Sequence, residues 1–523
     1  MRVLMLSVIL LPVLAGVLIP VVKSPDRKLR QGLLLAVLII EALMVTVLLF
    51  RDTPEVRLFS MTEKLTVSVN ADPVSRVFMA IAVYGYLLAG IFAFKYLDRS
   101  EEEGSFPEGT FWRFFLLSQG ALMGMDLSAN LISMYFFFEM ITLLSMPMVL
   151  YERTQESVSA ALRYLFYSIA GAFLALLAIF FLYRYSVTLD FAKGGNLDPA
   201  KVAGHETLLR VVFFLGFLGF GAKAGLYPLH GWLPAAHPVA PAPASAVLSG
   251  VIAKAGVLAI VRLLYFSIGT SFLSGSWVQT ALLSVSLLTV FMGSMMAYRE
   301  KVLKKRLAYS TVSQISYALF GLFLMNADGI TGGFMQVLFH AAAKCCLFLS
   351  AGSIIYLTGF HNVTELTGIG KRLPKTMLAF TFAGLSLIGI PPFAGFVSKW
   401  YLAAGSLDSG ISFLSWFGPV ILLVSALLTA GYLLPITVDG FFPGLGKKVH
   451  GGADAEGTGE GSSAHDGGEN AHAAAPKAQA SISEEGGLRM LVPLIVLAAL
   501  TLLLGLGSGL FKDFFAGIAA SML

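Results

Sequence analysis

Runs of apolar residues long enough to cross a bilayer recur along this chain, parted by short stretches that hold most of its charge. A spanning helix needs about 20 such residues. Runs of that length centre near 3–22, 31–50, 75–95, 112–128, 131–150, 158–183, 207–227, 243–266, 277–297, 307–325, 330–357, 376–404, 411–438 and 489–511. The pattern predicts an all-α polytopic membrane protein with about fourteen transmembrane helices. The first run follows Met1 and Arg2 much as a signal peptide would. It is nearer twenty residues than ten, however, and no small-residue cleavage site closes it, so it reads as the first span.

One segment departs from this rhythm. From Gly444 to Gly487 the chain is mostly Gly, Ala, Ser, Glu and His, with almost no bulky apolar side chain. Such a stretch cannot bury enough surface to fold, and it reads as a disordered cytoplasmic linker, 441–488, between the last two spans. Its His450, His465 and His472 are irregularly spaced, which favours a solvated tether over a metal site.

Composition agrees with the pattern. Of the residues 57% are hydrophobic and 13% charged, about half the ~25% charged content of soluble domains. The net charge of +5 lies in short connections, so it reads as topology rather than a nucleic-acid surface. Connections carrying Lys23, Arg27, Lys28 and Arg30 and, later, Lys301, Lys304, Lys305 and Arg306 belong to one side. That side holds about twice the Lys and Arg of the other and should face the cytoplasm, leaving both termini outside. Cys345 and Cys346 are adjacent in an apolar run. Their side chains diverge by about 100° on a helix, so they read as small buried residues rather than a disulfide or metal pair.

Against this background the charges inside the spans stand out: Glu139, Lys223, Lys254, Lys344 and Lys399. Each would cost roughly 3 kcal/mol facing lipid, so they must turn inward, towards one another or towards water. A buried ion pair or a snorkelling amine accounts for any one of them. Five on five different spans exceed what structural pairing needs. Glu41 in the second span is a sixth, with no evident partner and its role left open. Asp126 and Asn130 read as interfacial, and snorkelling accounts for Arg262 as well as function does.

Two spans are punctuated alike. The seventh runs into Gly-Ala-Lys-Ala-Gly-Leu-Tyr-Pro-Leu-His, residues 221–230, and the twelfth reads Gly-Ile-Pro-Pro-Phe-Ala-Gly-Phe-Val-Ser-Lys, residues 389–399. Proline breaks a helix, and broken backbone at membrane depth is tolerated only inside protein or beside a water-filled cavity. Broken helices in corresponding places point to inverted repeats with a site near the midplane. The expected division is therefore 1–110 (spans 1–3), 111–270 (spans 4–8), 271–440 (spans 9–13), the linker, and 489–523 (span 14). The order of Lys and Pro is reversed between the two breaks.

His340 and Lys344 are four apart and share a helical face. An imidazole titrating near pH 6.5 suits proton passage; a histidine bonded to a carbonyl is the plainer alternative. His230 and His237 fit no zinc spacing. Gly368-Ile-Gly-Lys371 lacks the upstream glycine of a phosphate loop, and Arg372 stands where Ser or Thr should follow. No iron–sulfur or dinucleotide fingerprint occurs, so no cofactor is expected in this chain. The sequon Asn362-Val-Thr364 falls on the expected cytoplasmic side and is a chance match.

Over roughly residues 70–440 the chain resembles the antiporter-like, proton-conducting membrane subunits of respiratory complex I, membrane-bound hydrogenases and multisubunit Na+/H+ antiporters. The resemblance is carried by Gly221 to His237 with Ala240-Pro241 and Ser245-Ala246, by Phe138-Glu139, Lys254-Ala-Gly-Val, Lys305 to Gln314, His340 to Lys344, and Gly389 to Lys399. It implies fourteen helices and two inverted half-channels. It also implies that Glu139 pairs with Lys223, that Lys254 and His340 form a central relay which Lys344 can extend, and that Lys399 is the terminal residue. Lysine at that last position looks closer to the antiporter D-type subunits and their hydrogenase-linked relatives. The linker is longer and more biased than the group implies.

Three functions compete. The first is a proton-pumping subunit of a complex I-like or membrane-bound hydrogenase-type complex, itself without a redox centre and working beside redox-arm and other membrane subunits. The second is the D-type subunit of a multisubunit Na+/H+ antiporter, moving H+ and Na+ without electron transfer. The third, a passive scaffold, is disfavoured by the five buried charges.

Overall fold

The computed structural model describes residues 1–19, 27–60, 62, 65–99, 106–443 and 485–523, so nearly all of the linker segment lies outside the described residues. What is described is helical apart from one small hairpin. Helices α1 (Arg2–Leu18), α2 (Arg27–Leu49) and α3 (Pro73–Tyr96) come first, with strands β1 (Val56–Ser60) and β2 (Thr66–Val69) paired antiparallel between the last two. There follow α4 (Glu108–Asp126), α5 (Leu131–Val149), α6 (Gln155–Tyr185), α7 (Glu206–Ala224), the short α8 (Trp232–Val239) and α9 (Ala242–Ile268). The second half holds α10 (Trp277–Arg299), α11 (Leu303–Phe323), α12 (Ala327–Thr358), α13 (Pro374–Ile388), α14 (Ala394–Leu407) and α15 (Leu414–Phe441). Two more, α16 (Leu488–Leu506) and α17 (Ser508–Met522), close the chain.

Among the described residues ten helices are long and apolar enough to cross a membrane. The remaining predicted runs fall on α1, on α4 and α11, and on the pair α13 and α14. The first is short; α4 and α11 are diluted by polar side chains such as Gln119 and Gln314, both buried against neighbouring helices. Local chemistry fixes many ends. Asp72, Asn130, Thr154 and Asn326 each accept a backbone N–H three residues on, capping α3, α5, α6 and α12.

Without a hydrophobic driving force between spans, close backbone approach does the packing. A Cβ on Gly171 of α6 would lie 2.6 Å from the Gly219 carbonyl of α7, and one on Gly219 would lie 2.5 Å from the Gly171 carbonyl. Large apolar side chains such as Leu33, Leu43, Phe166 and Leu427 point outward instead, as a lipid-facing surface requires.

Both expected breaks are present. Helix α7 ends at Gly225 and α13 at Gly389, each in the left-handed region (φ 82° and 91°) that glycine enters without a side-chain clash. At the second break the two half-helices touch: a Cβ on Gly395 would sit 1.8 Å from the Ser386 carbonyl. That obstacle is backbone and cannot swing aside. Gly395→Ala is therefore expected to cost about 3 kcal/mol or more and to lower the amount of subunit in membranes, read by immunoblot and by melting in detergent. A wild-type level and melting point would show that the half-helices part freely.

Three features were not foreseen. The hairpin seats on the α4–α5 turn, where Asn130 Nδ2 donates to the Thr66 carbonyl and to Ser68 Oγ, both at 2.9 Å. Helix α9 contains two π-helical stretches, Leu248–Ile252 and Arg262–Ile268. The last apolar run, read as one span to 511, stops at Leu506; Gly507 turns the chain into α17, which buries Phe515, Ile518, Ala519 and Met522. Phe515 stacks on Phe334 of α12 at 6.1 Å, so tertiary contact decides what the apolar pattern alone could not.

Candidate functional site

The buried amines sit on facing helices and meet neutral oxygens, and so does Lys223, the one expected beside a carboxylate. Lys223, fully buried one residue before the end of α7, donates to Thr142 Oγ1 and, at 3.4 Å, to the Phe138 carbonyl, both on α5. Its Nζ stands 4.7 Å from the centre of the Phe138 ring, a desolvated cation–π contact. Glu139 follows Phe138 and is only half-buried. Its charge reaches Lys223, but among the described residues the two form no ion pair within 4 Å. The implied pair is thus a through-space one, because Thr142, one turn along α5, occupies the ammonium. Across the break, the Trp232 indole N–H donates to the Ala222 carbonyl at 2.8 Å, adding a second donor to an oxygen that already accepts the Gly225 N–H at 3.1 Å.

Helices α7 and α9 touch beside their lysines. A Cβ on Gly256 would lie 2.6 Å from the Ala224 nitrogen. No side-chain hydrogen bond joins Lys223 to Lys254 among the described residues. Lys254 lies just past the first π turn and donates to the Ser249 carbonyl at 2.5 Å.

Polar contacts carry on from there, passing from the Ser249 carbonyl to the hydroxyl of the same residue. Ser249 Oγ and Thr311 Oγ1 are 2.7 Å apart, Thr311 donates to the Leu307 carbonyl at 3.0 Å, and Lys344 donates to that same carbonyl at 2.8 Å and to Ser310 Oγ. His340, one turn from Lys344, is buried with neither ring nitrogen bonded. It lies within electrostatic reach of Lys254, Lys344 and Lys399. An imidazole with both nitrogens open among three amines can accept a proton on one side and release it on the other.

A further turn along α12, Gln336 donates to Gln314 Oε1 at 2.9 Å and accepts from Ser398 Oγ at 2.7 Å. Ser398 precedes Lys399, whose Nζ donates to the Leu387 and Ile388 carbonyls, each at 2.7 Å. These are end carbonyls of α13, where a cation is favoured both as donor and against the helix dipole. The broken helix therefore builds the seat of its own lysine.

With this geometry in view the comparisons are informative. Residues 128–429 match the model of the family described as "NADH:quinone oxidoreductase/Mrp antiporter, TM". The chain belongs to this family. It is 34% identical over 381 residues to NADH-quinone oxidoreductase subunit N of Desulforudis audaxviator, covering 72% of each chain. To the D-type subunit of the Na(+)/H(+) antiporter of Bacillus subtilis it is 28% identical over 366 residues, 70% of this chain and 71% of that one. A subunit of the archaeal membrane-bound sulfane sulfur reductase, a respiratory membrane complex, superposes with a TM-score of 0.81 at 21% identity, over 99% of this chain and 97% of that one. This last likeness speaks to the fold. The chain is a multi-pass membrane subunit of the antiporter-like kind.

Sequence reading missed several side chains around this axis. Thr142, Ser249, Ser310, Thr311, Gln314, Gln336 and Ser398 join the amines yet are common polar residues. For Ser310, Thr311 and Gln314 of α11, and for Gln336 four residues before His340 on α12, the signal is recurrence at three- and four-residue steps; Thr142, Ser249 and Ser398 carry none. His237, set aside for want of a zinc pattern, is fully buried on α8 with both nitrogens unbonded, stacked on Phe348 at 4.6 Å and facing Lys344, Lys304 and Lys254. Lys304, counted above as a loop charge, is buried and donates to the Ala240 carbonyl at 2.9 Å. Arg262 does not snorkel: it is 2% exposed and bidentate to Asp72 at 2.5 and 2.8 Å. Asp126, read as interfacial, is buried beside it with Oδ2 unbonded.

Proposed function

We propose that this chain is a proton-translocating membrane subunit of a complex I-like or membrane-bound hydrogenase-type assembly. In this reading Glu139, Lys223, Lys254, His340, Lys344 and Lys399 form the relay, and His237 and Lys304 lead into it. The observation that carries the reading is the run of polar contacts from Lys254 through Ser249, Thr311 and the Leu307 carbonyl to Lys344. Lipid-facing or isolated amines would have no use for such a run. The reading includes fourteen spans, with inverted repeats at 111–270 and 271–440, cytoplasmic connections on the Lys/Arg-rich side and both termini outside. Neighbouring membrane subunits, and a redox arm in other chains, would be its partners.

In this scheme the Glu139 charge keeps Lys223 protonated. When that charge is neutralised or withdrawn, Lys223 is a buried cation without a counter-ion and releases its proton towards Lys254. Amines clustered as these are cannot all be charged together. A proton arriving at Lys254 therefore favours departure from Lys344, through His340, towards Lys399.

The likeness to the D-type antiporter subunit of Bacillus subtilis supports a second reading, ion exchange without electron transfer. Inverted membrane vesicles holding the whole complex separate the two. With a proton-sensitive dye, acidification on adding an electron donor is the expected result. Proton movement driven only by an imposed Na+ gradient would favour the second reading, and none under either condition would overturn both.

A further inference from the structure

Glu41 has no place in that relay. It lies midway along α2 and is fully buried, while Leu33, Ile40, Leu43 and Val47 of the same helix are exposed. Its Oε2 accepts a hydrogen bond from Gln119 Nε2 on α4 at 2.7 Å. Its Oε1, and Oε1 of Gln119, are both buried without a hydrogen-bond partner. No Lys, Arg or His forms an ion pair with Glu41 among the described residues.

The hydrogen-bond inventory makes this arrangement decisive. A carboxylate only accepts, whereas an amide offers N–H donors and one accepting oxygen. With Glu41 ionised, two buried oxygens have no donor in the protein and a negative charge is buried without a cation, both costly. One proton on Glu41 removes the charge and turns the carboxyl into a donor for the Gln119 oxygen. Turning the amide over changes nothing, since its oxygen would then face the carboxyl and again require a proton there.

Two separate groups of hydrogen-bonded hydroxyls lie between this pair and Lys223. Ser118, next to Gln119, shares a 2.9 Å hydrogen bond with the Tyr86 hydroxyl of α3. Tyr86 lies within electrostatic reach of Glu41, Asp126 and Tyr164. The Tyr164 hydroxyl of α6 bonds to Ser145 at 2.7 Å and to Thr142. Thr142 is the residue that holds the Lys223 ammonium.

We propose that Glu41 is a proton-storing site, holding its proton as a carboxylic acid paired with Gln119 and exchanging it with Lys223 through the hydroxyls of Tyr86, Ser118, Tyr164 and Thr142. When Lys223 is neutral, the Glu41 O–H bond breaks, each hydroxyl passes on one proton as it receives another, water molecules do the same between Glu41 and Tyr86 and between Tyr86 and Tyr164, and an N–H bond forms on Lys223. A carboxylate and an ammonium result, and the reverse transfer restores the acid and the free amine. The exchange rests on the relay reading given above; the stored proton does not.

Infrared difference spectroscopy on membranes holding the complete complex tests both parts. The wild type should show the C=O band of a protonated carboxylic acid, shifted in D2O and missing in Glu41→Gln. That variant keeps the shape and neutrality of the acid, so assembly should be retained. Its initial rate of proton translocation should fall roughly tenfold, less than the ~100-fold or more carried by a direct proton-transfer group. Absence of the band in the wild type overturns the proposal, and a band with an unchanged Glu41→Gln rate overturns the exchange. If Lys223→Ala also pumps normally, the relay reading fails, while the band still decides whether Glu41 stores a proton. Should Glu41→Gln not assemble, Gln119→Leu supplies the check: with its partner gone, the same band must move to the frequency of an unbonded acid, and a fixed band overturns the assignment.

Discussion

Replacing Lys223 by alanine is expected to lower proton translocation by at least ~100-fold, the low end of what a positioned proton-transfer group contributes, with the subunit still inserted at its normal level. Insertion should survive because the substitution removes a buried cation, which the bilayer interior disfavours by roughly 3 kcal/mol in any case. The oxygens left behind keep partners: Thr142 Oγ1 can still donate to the Phe138 carbonyl at 3.4 Å. Lys223→Arg separates charge from proton traffic. A guanidinium stays charged at every accessible pH, so this variant keeps the field felt by Glu139 yet cannot release a proton. It should be as inactive as the alanine variant. Dye-monitored pumping in inverted vesicles decides it: activity near wild type in either variant would remove Lys223 from the relay.

The second large effect concerns stability. Asp72 and Arg262 join the start of α3 to the end of α9 through a bidentate pair, with Ser75 Oγ accepting from Arg262 Nη2 at 3.0 Å. Asp72→Ala would strand a guanidinium that is 2% exposed. Breaking a buried pair from one side costs about 3–5 kcal/mol, and loss of the cap on α3 adds about 1 kcal/mol. A clearly lower melting point in detergent is expected, with Asp72→Asn intermediate; a variant melting with the wild type would show that the pair is idle. The pH dependence has a definite sign. Burial pushes the Asp72 carboxyl up, but the charge and hydrogen bonds of Arg262, with the Ser75 donors, outweigh it and hold the group below the ordinary carboxylate value. The stabilisation is therefore complete at neutral pH and is lost only in acid, as pH falls through that lowered value.

How legible this was in the sequence depended on the kind of interaction. Span positions and the breaks at Gly225 and Gly389 followed from run length, proline and glycine, which act locally. The ionisable members of the axis could be named because a charge in an apolar run is rare. Their partners could not. Backbone carbonyls leave no trace in composition, and the amines end on carbonyls of Phe138, Ser249, Leu307, Leu387 and Ile388. Hence the expected contact of Glu139 with Lys223 gave way to Thr142. Arg262 and Asp126 were misplaced for a related reason: near the end of a run, depth depends on what covers the end, and here the β1–β2 hairpin and Asp72 cover it.

The π turn at Leu248–Ile252 fixes the aim of Lys254. Such a turn accommodates one residue more than an α-helical turn would, absorbing the roughly 100° by which an added residue would otherwise turn the helix beyond it. Removing one residue from a regular turn of α9 instead would leave an apolar, well-formed span whose lysine points to another neighbour. The bulge thus acts as an alignment key: the face that Lys254 presents hangs on a count of one residue that hydropathy does not register.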